Sequence, residues 1–526
     1  MNVISNPVLR GFHPDPSFLR VGDDYYIATS TFEWFPGVCI HHSRDLVHWR
    51  LLSRPLDRLG LLDMRGDPNS GGVWAPCLSW RKGLFHLVYT DMKRWAGTTK
   101  DCHNYLTTAP AIEGPWSDPI HLNSSGFDAS LFHDTDGRSW LVNVLWDYRP
   151  AQSGFAGILL QEFCSEKGGL IGERSVIFQG TKLGLVEGPH LYRRGGFYYL
   201  LTAEGGTFTT HAVTVARSEK LTGPYEVMPG NPLLTSSHDP ALRLQSAGHG
   251  SLVEAQDGTW ILAYLCRRPR VKGRSTLGRE TSLQTVTWTP DGWPRLANGG
   301  KSPDDAFTPP ALPLHEWRPE PARDDFTTPV LRSCYNTLRI PLDSSLMSLS
   351  ERPGFLRLKG GESILSSFRQ ALVARRIASF RISAETCVEF EPDSFQQLAG
   401  LAAFYNTEAF YYLYISRADH ASKCLGIMRC ERGVVSYPVE KEVPVDGWSR
   451  IFLGFDMNHE RLCFRYSPDG ESWSRIGWEM DASILSDEHA IPCGFTGSFV
   501  ALCCQDLSGG GLHADFEFLE YRETDV

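Results

Sequence analysis

Three carboxylates in the first half of the chain stand in short, unusual settings. Asp15 lies in His13-Pro14-Asp15-Pro16, Asp128 in Gly126-Phe127-Asp128-Ala129, and Glu187 in Glu187-Gly188-Pro189-His190. Two carboxyl groups facing a common site can split a glycosidic bond: one protonates the leaving oxygen while the other activates water or attacks directly. A third carboxylate beside the acid holds that acid's proton on by like-charge repulsion. Asp15 suits the base, since flanking prolines restrict its backbone and a fixed carboxylate can keep one water in line. The plainer reading of Pro-Asp-Pro is a turn capping a first strand. For Asp128 the rival role is a strand cap.

The elements that must position these groups emerge as an internal repeat. Five stretches align: DPSFLRVGDDYYIATS from Asp15, WAPCLSWRKGLFHLVYT from Trp74, DASLFHDTDGRSWLVNV from Asp128, EGPHLYRRGGFYYLLTA from Glu187 and GHGSLVEAQDGTWILAY from Gly248. Each is a short apolar strand, a Gly or Asp-Gly turn and an aromatic-rich strand, the signature of a hairpin. The leading positions are Asp15, Trp74, Asp128, Glu187 and His249, 54 to 62 residues apart. With further strand candidates between the hairpins, each unit has four strands. Five such units make a five-bladed β-propeller, whose innermost strands converge on one axis. Carboxylates repeatedly aimed at an axis are costly unless the axis does chemistry.

Around them, Trp74 suits stacking on a sugar face, or else a place in the core. His249 can hydrogen-bond a carboxylate, hold water or ligate a metal, although a satisfied histidine is the commoner fate. Arg279, in LGRETSLQ, can reach a sugar hydroxyl, balance the acidic cluster or form an ordinary ion pair. The sequence carries no HExxH zinc motif, GxSxG elbow or phosphate-binding Gly-rich loop.

Composition bounds the rest. At 526 residues the chain exceeds one ordinary core, and 12% aromatics with 49 Gly and 33 Pro favour an all-β protein rich in turns. A net charge of −10 without a dense basic block argues against nucleic acid or an anionic membrane as partner. The 13 cysteines show no CxxC pair, which points to reduced thiols and a cytoplasmic location, and neither a signal segment nor a membrane-length apolar run is evident. Residues 308–325 read as a Pro-rich linker between a propeller over 1–307 and a second all-β domain over 326–526. Alternating stretches such as AFYYLYISR and DFEFLEYRE make that domain a β-sandwich of jelly-roll, concanavalin-like type. Such a domain can bind carbohydrate, close an active site or hold a homo-oligomer together.

The stretch NPVLRGFHPDPSFLRVGDDYYIATSTFEWFPG, with VWAP, GFDASLF, EGPHLY and GHGSLV following in order, resembles the β-xylosidases of glycoside hydrolase family 43, nearly end to end. The resemblance implies an inverting exo-glycosidase that releases xylose from the non-reducing ends of β-1,4-xylo-oligosaccharides, with α-L-arabinofuranosidase side activity. It implies Asp15 as general base, Glu187 as general acid and Asp128 as modulator of the acid. Trp74, Phe127, His249 and Arg279 would surround the bound sugar, with Phe32 and Trp146 toward the leaving side. Phe499, in TGSFVA, would reach from the sandwich into the pocket mouth. No cofactor is required, though the resemblance leaves open a calcium or other divalent ion at the axis near His249. Substrates would be xylo-oligosaccharides or arabinosides. Three rivals remain: an enzyme of the same fold working mainly on arabinofuranosides, a retaining furanosidase of the invertase-like propellers, and a non-catalytic sugar-binding propeller. Cysteines near the motifs, Cys77 and Cys503-Cys504, raise the expectation of thiol sensitivity.

Overall fold

The computed structural model describes residues 3–418 and 422–524, and they are all-β but for two three-residue 3-10 turns, Val271–Gly273 and Ala482–Ile484. No helix among them is long and apolar enough to cross a membrane. Five antiparallel sheets follow one another in chain order, each with its strands in sequence. They begin with the strands Ser17–Val21, Gly72–Arg81, Ser130–His133, Glu187–Arg194 and Gln245–Glu254. A separate apolar cluster fills each gap between neighbouring blades, as Ile27, Val253 and Leu283 do between blades five and one. Each such aliphatic side chain, fully buried, stabilises the ring by about 2 kcal/mol relative to exposure.

Serines near the start of the inner strands pin the blades together. Ser17 Oγ accepts from Leu78 N of blade two at 3.0 Å, and Ser130 Oγ donates to Pro189 O of blade four at 2.5 Å. Ser251 Oγ accepts from Phe18 N at 2.9 Å and donates to Pro16 O at 2.7 Å, joining blade five to blade one. Each bond is worth about 1 kcal/mol net. The N-terminal segment completes the closure. Leu9 exchanges backbone hydrogen bonds with Thr281, Asn6 bonds the backbone of Leu283 through both ends of its side-chain amide, and Ile4–Ser5 pair with Ala306–Phe307.

The sandwich packs an eight-stranded sheet on a nine-stranded one around a single apolar core. It begins at Arg323–Asp324, which pair with Leu519 and Glu520, so its first strand lies inside the stretch read as linker. Strands at Ala409–Ala418 and His513–Glu523 contain the alternating stretches identified in the sequence. The two domains share a sheet: Trp34 and Phe35, from the propeller, pair with Leu338 and Thr337 at one end of the nine-stranded sheet. The sandwich also bonds the loop before blade two, through Phe495 N to Ser70 Oγ, and blade five, through Ser498 N to Thr276 O.

Candidate active site

The repeat that carries the chemistry also bends the backbone. An equivalent residue at or near the start of each inner strand is left-handed: Asp15 (φ 55°), Ala75 (33°), Asp128 (55°), Gly188 (56°) and His249 (42°). Aligning these residues corrects the sequence register. Trp74 and Glu187 stand one position before the bend, where blade three has Phe127, whereas Asp15, Asp128 and His249 occupy the bend itself. Successive side chains on a strand point to opposite sides, so the one-residue offset lets these blades supply groups from different directions. At the bend of blade four only glycine fits, because a Cβ on Gly188 would stand 2.8 Å from His249 Nε2.

Asp15, Asp128, Glu187, Trp74, Phe127, His249, Arg279, Phe32 and Trp146 line one cavity of about 240 Å³. Asp15 is held from three sides. Arg279 Nη1 donates to Oδ1 at 3.0 Å, Ser30 Oγ donates to Oδ2 at 2.6 Å, and His249 Nδ1 lies 3.5 Å from Oδ1. Ser30 Oγ in turn accepts from Ala75 N at 2.7 Å, linking the carboxylate to blade two. Burial alone would raise the pKa of Asp15, but Arg279, His249 and Ser30 outweigh it and bring it below the ordinary carboxylate value.

Glu187 behaves oppositely. Burial, then the negative charges of Asp128 and Asp15, push its pKa well above the ordinary value. Among the described residues its carboxyl has no hydrogen-bond partner. Asp128 is pushed up to about 6, by burial and then by Asp15 against the opposing pull of His249. Its Oδ2 accepts from Gly188 N at 3.1 Å, which fixes it beside Glu187. Two of the three carboxyls are thus driven apart in proton affinity, and the third adds to the difference.

The walls are aromatic. Trp74 meets Phe127 and Phe32 with ring centroids 5.5 and 5.8 Å apart. Trp146, half-buried, leans on Phe127 and Phe155 at 5.9 and 5.2 Å, and its indole donates to Thr98 O at 2.7 Å. Phe32 is buried under the Arg279 guanidinium, 5.2 Å from its ring.

Phe499 is not in the pocket. It opens the strand Phe499–Asp506, is fully buried, and stacks on Trp34 at 3.7 Å in the interface between the domains. The sandwich residue that lines the cavity is Phe495, four positions earlier in a loop, packed against Phe32, Trp74 and Trp95 at 5.7, 5.4 and 5.2 Å. The Phe495 carbonyl accepts from Arg279 Nη2 at 3.2 Å, so the guanidinium that holds Asp15 also holds the sandwich loop. Trp95, Lys100, Phe155, Gly206, Thr207 and His211 complete the lining without having been singled out in the sequence. The repeat directs attention to inner-strand starts, and these six lie outside them.

The axial histidine considered for a cation is engaged by its neighbours. Among the described residues no three His, Cys, Asp or Glu side chains gather at one point. His249 turns Nδ1 toward a carboxylate already paired with arginine and rests its Nε2 edge on Gly188. The cysteines near the motifs are also quiet: Cys77, Cys503 and Cys504 are buried, and burial raises the pKa of each thiol. This burial removes the basis for the expected thiol sensitivity.

Comparison with known proteins places this geometry. Residues 4–294 match the family model Glycosyl hydrolases family 43, and residues 323–522 match Beta xylosidase C-terminal Concanavalin A-like domain. A beta-xylosidase of Bacillus subtilis is 47% identical over 99% of both chains. A protein of Humicola insolens named xylosidase/arabinosidase 43B is 48% identical over 99% of this chain and 98% of its own. The crystal structure of a xylan beta-1,4-xylosidase from Bacillus halodurans, 53% identical, superposes with a TM-score of 0.98 over 99% of this chain and 100% of that one.

Proposed function

Since the chain belongs to glycosyl hydrolase family 43, we propose that it is an inverting, exo-acting β-xylosidase. It releases D-xylose from the non-reducing ends of β-1,4-xylo-oligosaccharides and cleaves terminal α-L-arabinofuranosides as a side activity. The observation that carries the reading is the divergence of two carboxyls in one small cavity: Asp15 held ionised by Arg279, and Glu187 held protonated by burial and Asp128. A cavity of about 240 Å³ is smaller than the roughly 300–1,000 Å³ of sites for drug-sized ligands, which suits one terminal sugar. Phe495 and its loop wall one side, supporting action on chain ends.

In this mechanism Glu187 gives its proton to the glycosidic oxygen as the bond to the anomeric carbon breaks. Asp15 takes a proton from the water that attacks the opposite face of that carbon. Arg279 and Ser30 keep the Asp15 carboxylate aimed at that water. Trp74 and Phe127 present ring faces to the apolar side of the sugar. The free thiols of all 13 cysteines support work in a reducing compartment such as the cytoplasm.

Rates on paired aryl β-D-xyloside and α-L-arabinofuranoside, with NMR of the first-formed sugar, test the reading. The xyloside is expected to turn over faster and to yield α-xylose first. A dominant arabinofuranosidase rate would reverse the substrate ranking, and early β-xylose would rule out inversion.

The Asp128 charge makes a separate prediction. Activity needs Glu187 protonated, so kcat/KM falls as pH rises through the raised Glu187 pKa. In Asp128→Asn one of the charges holding that proton is gone, the Glu187 pKa drops, and the alkaline limb should move by about one pH unit toward acid. An alkaline limb that stays in place would remove Asp128 from this role.

A further inference from the structure

Both tryptophans that face Phe495 take their orientation from one short stretch, Asp67 to Ser70. Trp95 Nε1 donates to Asn69 O at 2.8 Å, and Trp74 Nε1 donates to Ser70 O at 2.9 Å. Ser70 Oγ accepts from the backbone N of Phe495 at 3.1 Å. Ser70 itself is left-handed (φ 61°), and its N–H is held by Glu33 Oε2 at 3.0 Å. One turn of chain therefore fixes three of the rings that wall the cavity, and Glu33 follows directly on a fourth, Phe32.

What fixes the turn comes from the other domain. Arg339 lies just beyond the sandwich strand Tyr335–Leu338 that pairs with Trp34–Phe35, and its N–H continues that seam by donating to Glu33 O at 2.9 Å. Arg339 is 1% exposed and its guanidinium forks onto the turn, with Nε on Asp67 O at 2.8 Å and Nη2 on Asn69 Oδ1 at 2.9 Å. Thr407 Oγ1, also from the sandwich, donates to the same Asn69 Oδ1 at 3.0 Å. Neither Arg339 nor Thr407 lines the cavity. A planar fork spanning a main-chain carbonyl and a side-chain amide constrains the turn in a way a flexible ammonium does not.

We propose that Arg339 is a positioning residue: acting through Asp67–Ser70, it sets the indoles of Trp74 and Trp95 and the backbone at Phe495, and thereby how tightly the terminal sugar is held. The two domains are then coupled in substrate affinity as well as in stability. Because Arg339 contacts none of the three carboxylates, its loss acts on binding more than on the chemical step. The kinetic part of this inference rests on the function proposed above.

The test uses the full chain with Arg339→Met, Arg339→Lys, Asn69→Leu and Thr407→Val, measured for kcat and KM on aryl β-D-xyloside and for near-UV circular dichroism. Arg339→Met should raise KM about tenfold with kcat within about threefold, and alter the tryptophan bands. Arg339→Lys should recover part of the loss, because a single ammonium can meet only one end of the fork. Asn69→Leu, which keeps the carbonyl to Trp95 but loses the acceptor for Arg339 and Thr407, should also raise KM. Thr407→Val should do so more weakly. Should Arg339→Met fail to fold, Asn69→Leu and Thr407→Val decide the matter. A folded Arg339→Met with unchanged KM and unchanged tryptophan bands overturns the proposal, as does a fall in kcat at constant KM. If the unaltered chain does not turn over the xyloside, the proposed function fails, and the tryptophan bands of Arg339→Met against the parent still decide the positioning role.

Discussion

Asp15→Ala is expected to lower kcat on an aryl β-xyloside by at least about 10²-fold, with little change in KM. Among the described cavity-lining residues it is the carboxylate whose pKa is lowered and which Arg279 and Ser30 hold in place, which fits it to take the proton from an attacking water. Its removal also strips the buried Arg279 of its Oδ1 partner and Ser30 of Oδ2. A buried cation without its partner is destabilising, so part of any loss in Asp15→Ala can come from a loosened site. Asp15→Asn separates the two effects, since the amide keeps an oxygen for Arg279 and most of the shape but cannot accept a proton. If Asp15 is the base, both variants lose kcat to a similar degree while Asp15→Asn, which keeps an acceptor for Arg279 but not the charge, loses less thermal stability than Asp15→Ala. A kcat within about tenfold of the parent in Asp15→Asn would assign the base elsewhere.

How far the sequence foreshadows this site depends on how local each signal is. The hairpin repeat is local: an apolar strand, a glycine turn and an aromatic strand recur within each unit, so blade number and the three carboxylates could be read without a structure. The one-residue offset of Trp74 and Glu187 could not, because it depends on which residue bends left-handed, and Ala75 and Gly188 look like ordinary spacing in a linear alignment. The exchange of Phe499 for Phe495 has a signal that goes unused. Phe499 opens the unbroken apolar run FVALCC, as a fully buried strand does, whereas Phe495 lies between Gly494 and Gly497 in a loop free to reach outward. The pairing of Trp34–Phe35 with Thr337–Leu338 joins residues some 300 positions apart, and no periodicity reports so distant a contact. Arg339 is illegible for the same reason, since its partners Asp67 and Asn69 belong to the other domain.

Glu187→Ala separates the acid from the base by its dependence on the leaving group. With xylobiose the departing oxygen is a poor leaving group and must be protonated as the bond breaks, so kcat/KM should fall by at least about 10²-fold. With an aryl xyloside carrying strong electron-withdrawing groups, the phenolate departs without a proton, and the loss should be far smaller. Asp15→Ala should show no such recovery, because water must still be activated whatever leaves. The pH profile provides a second signature. If Glu187 is the acid, the alkaline limb in the parent should reflect loss of the proton that burial and the charges of Asp128 and Asp15 favour on Glu187. In Glu187→Ala that limb should vanish for the activated substrate, while the acid limb set by Asp15 remains. A variant that loses activity equally on both substrates, or keeps the parent's alkaline limb, would show that the proton comes from another group. Among the cavity-lining residues Asp128 would then be the next carboxyl to test, since burial has already raised its pKa to about 6 and its Oδ2 sits one hydrogen bond from Gly188.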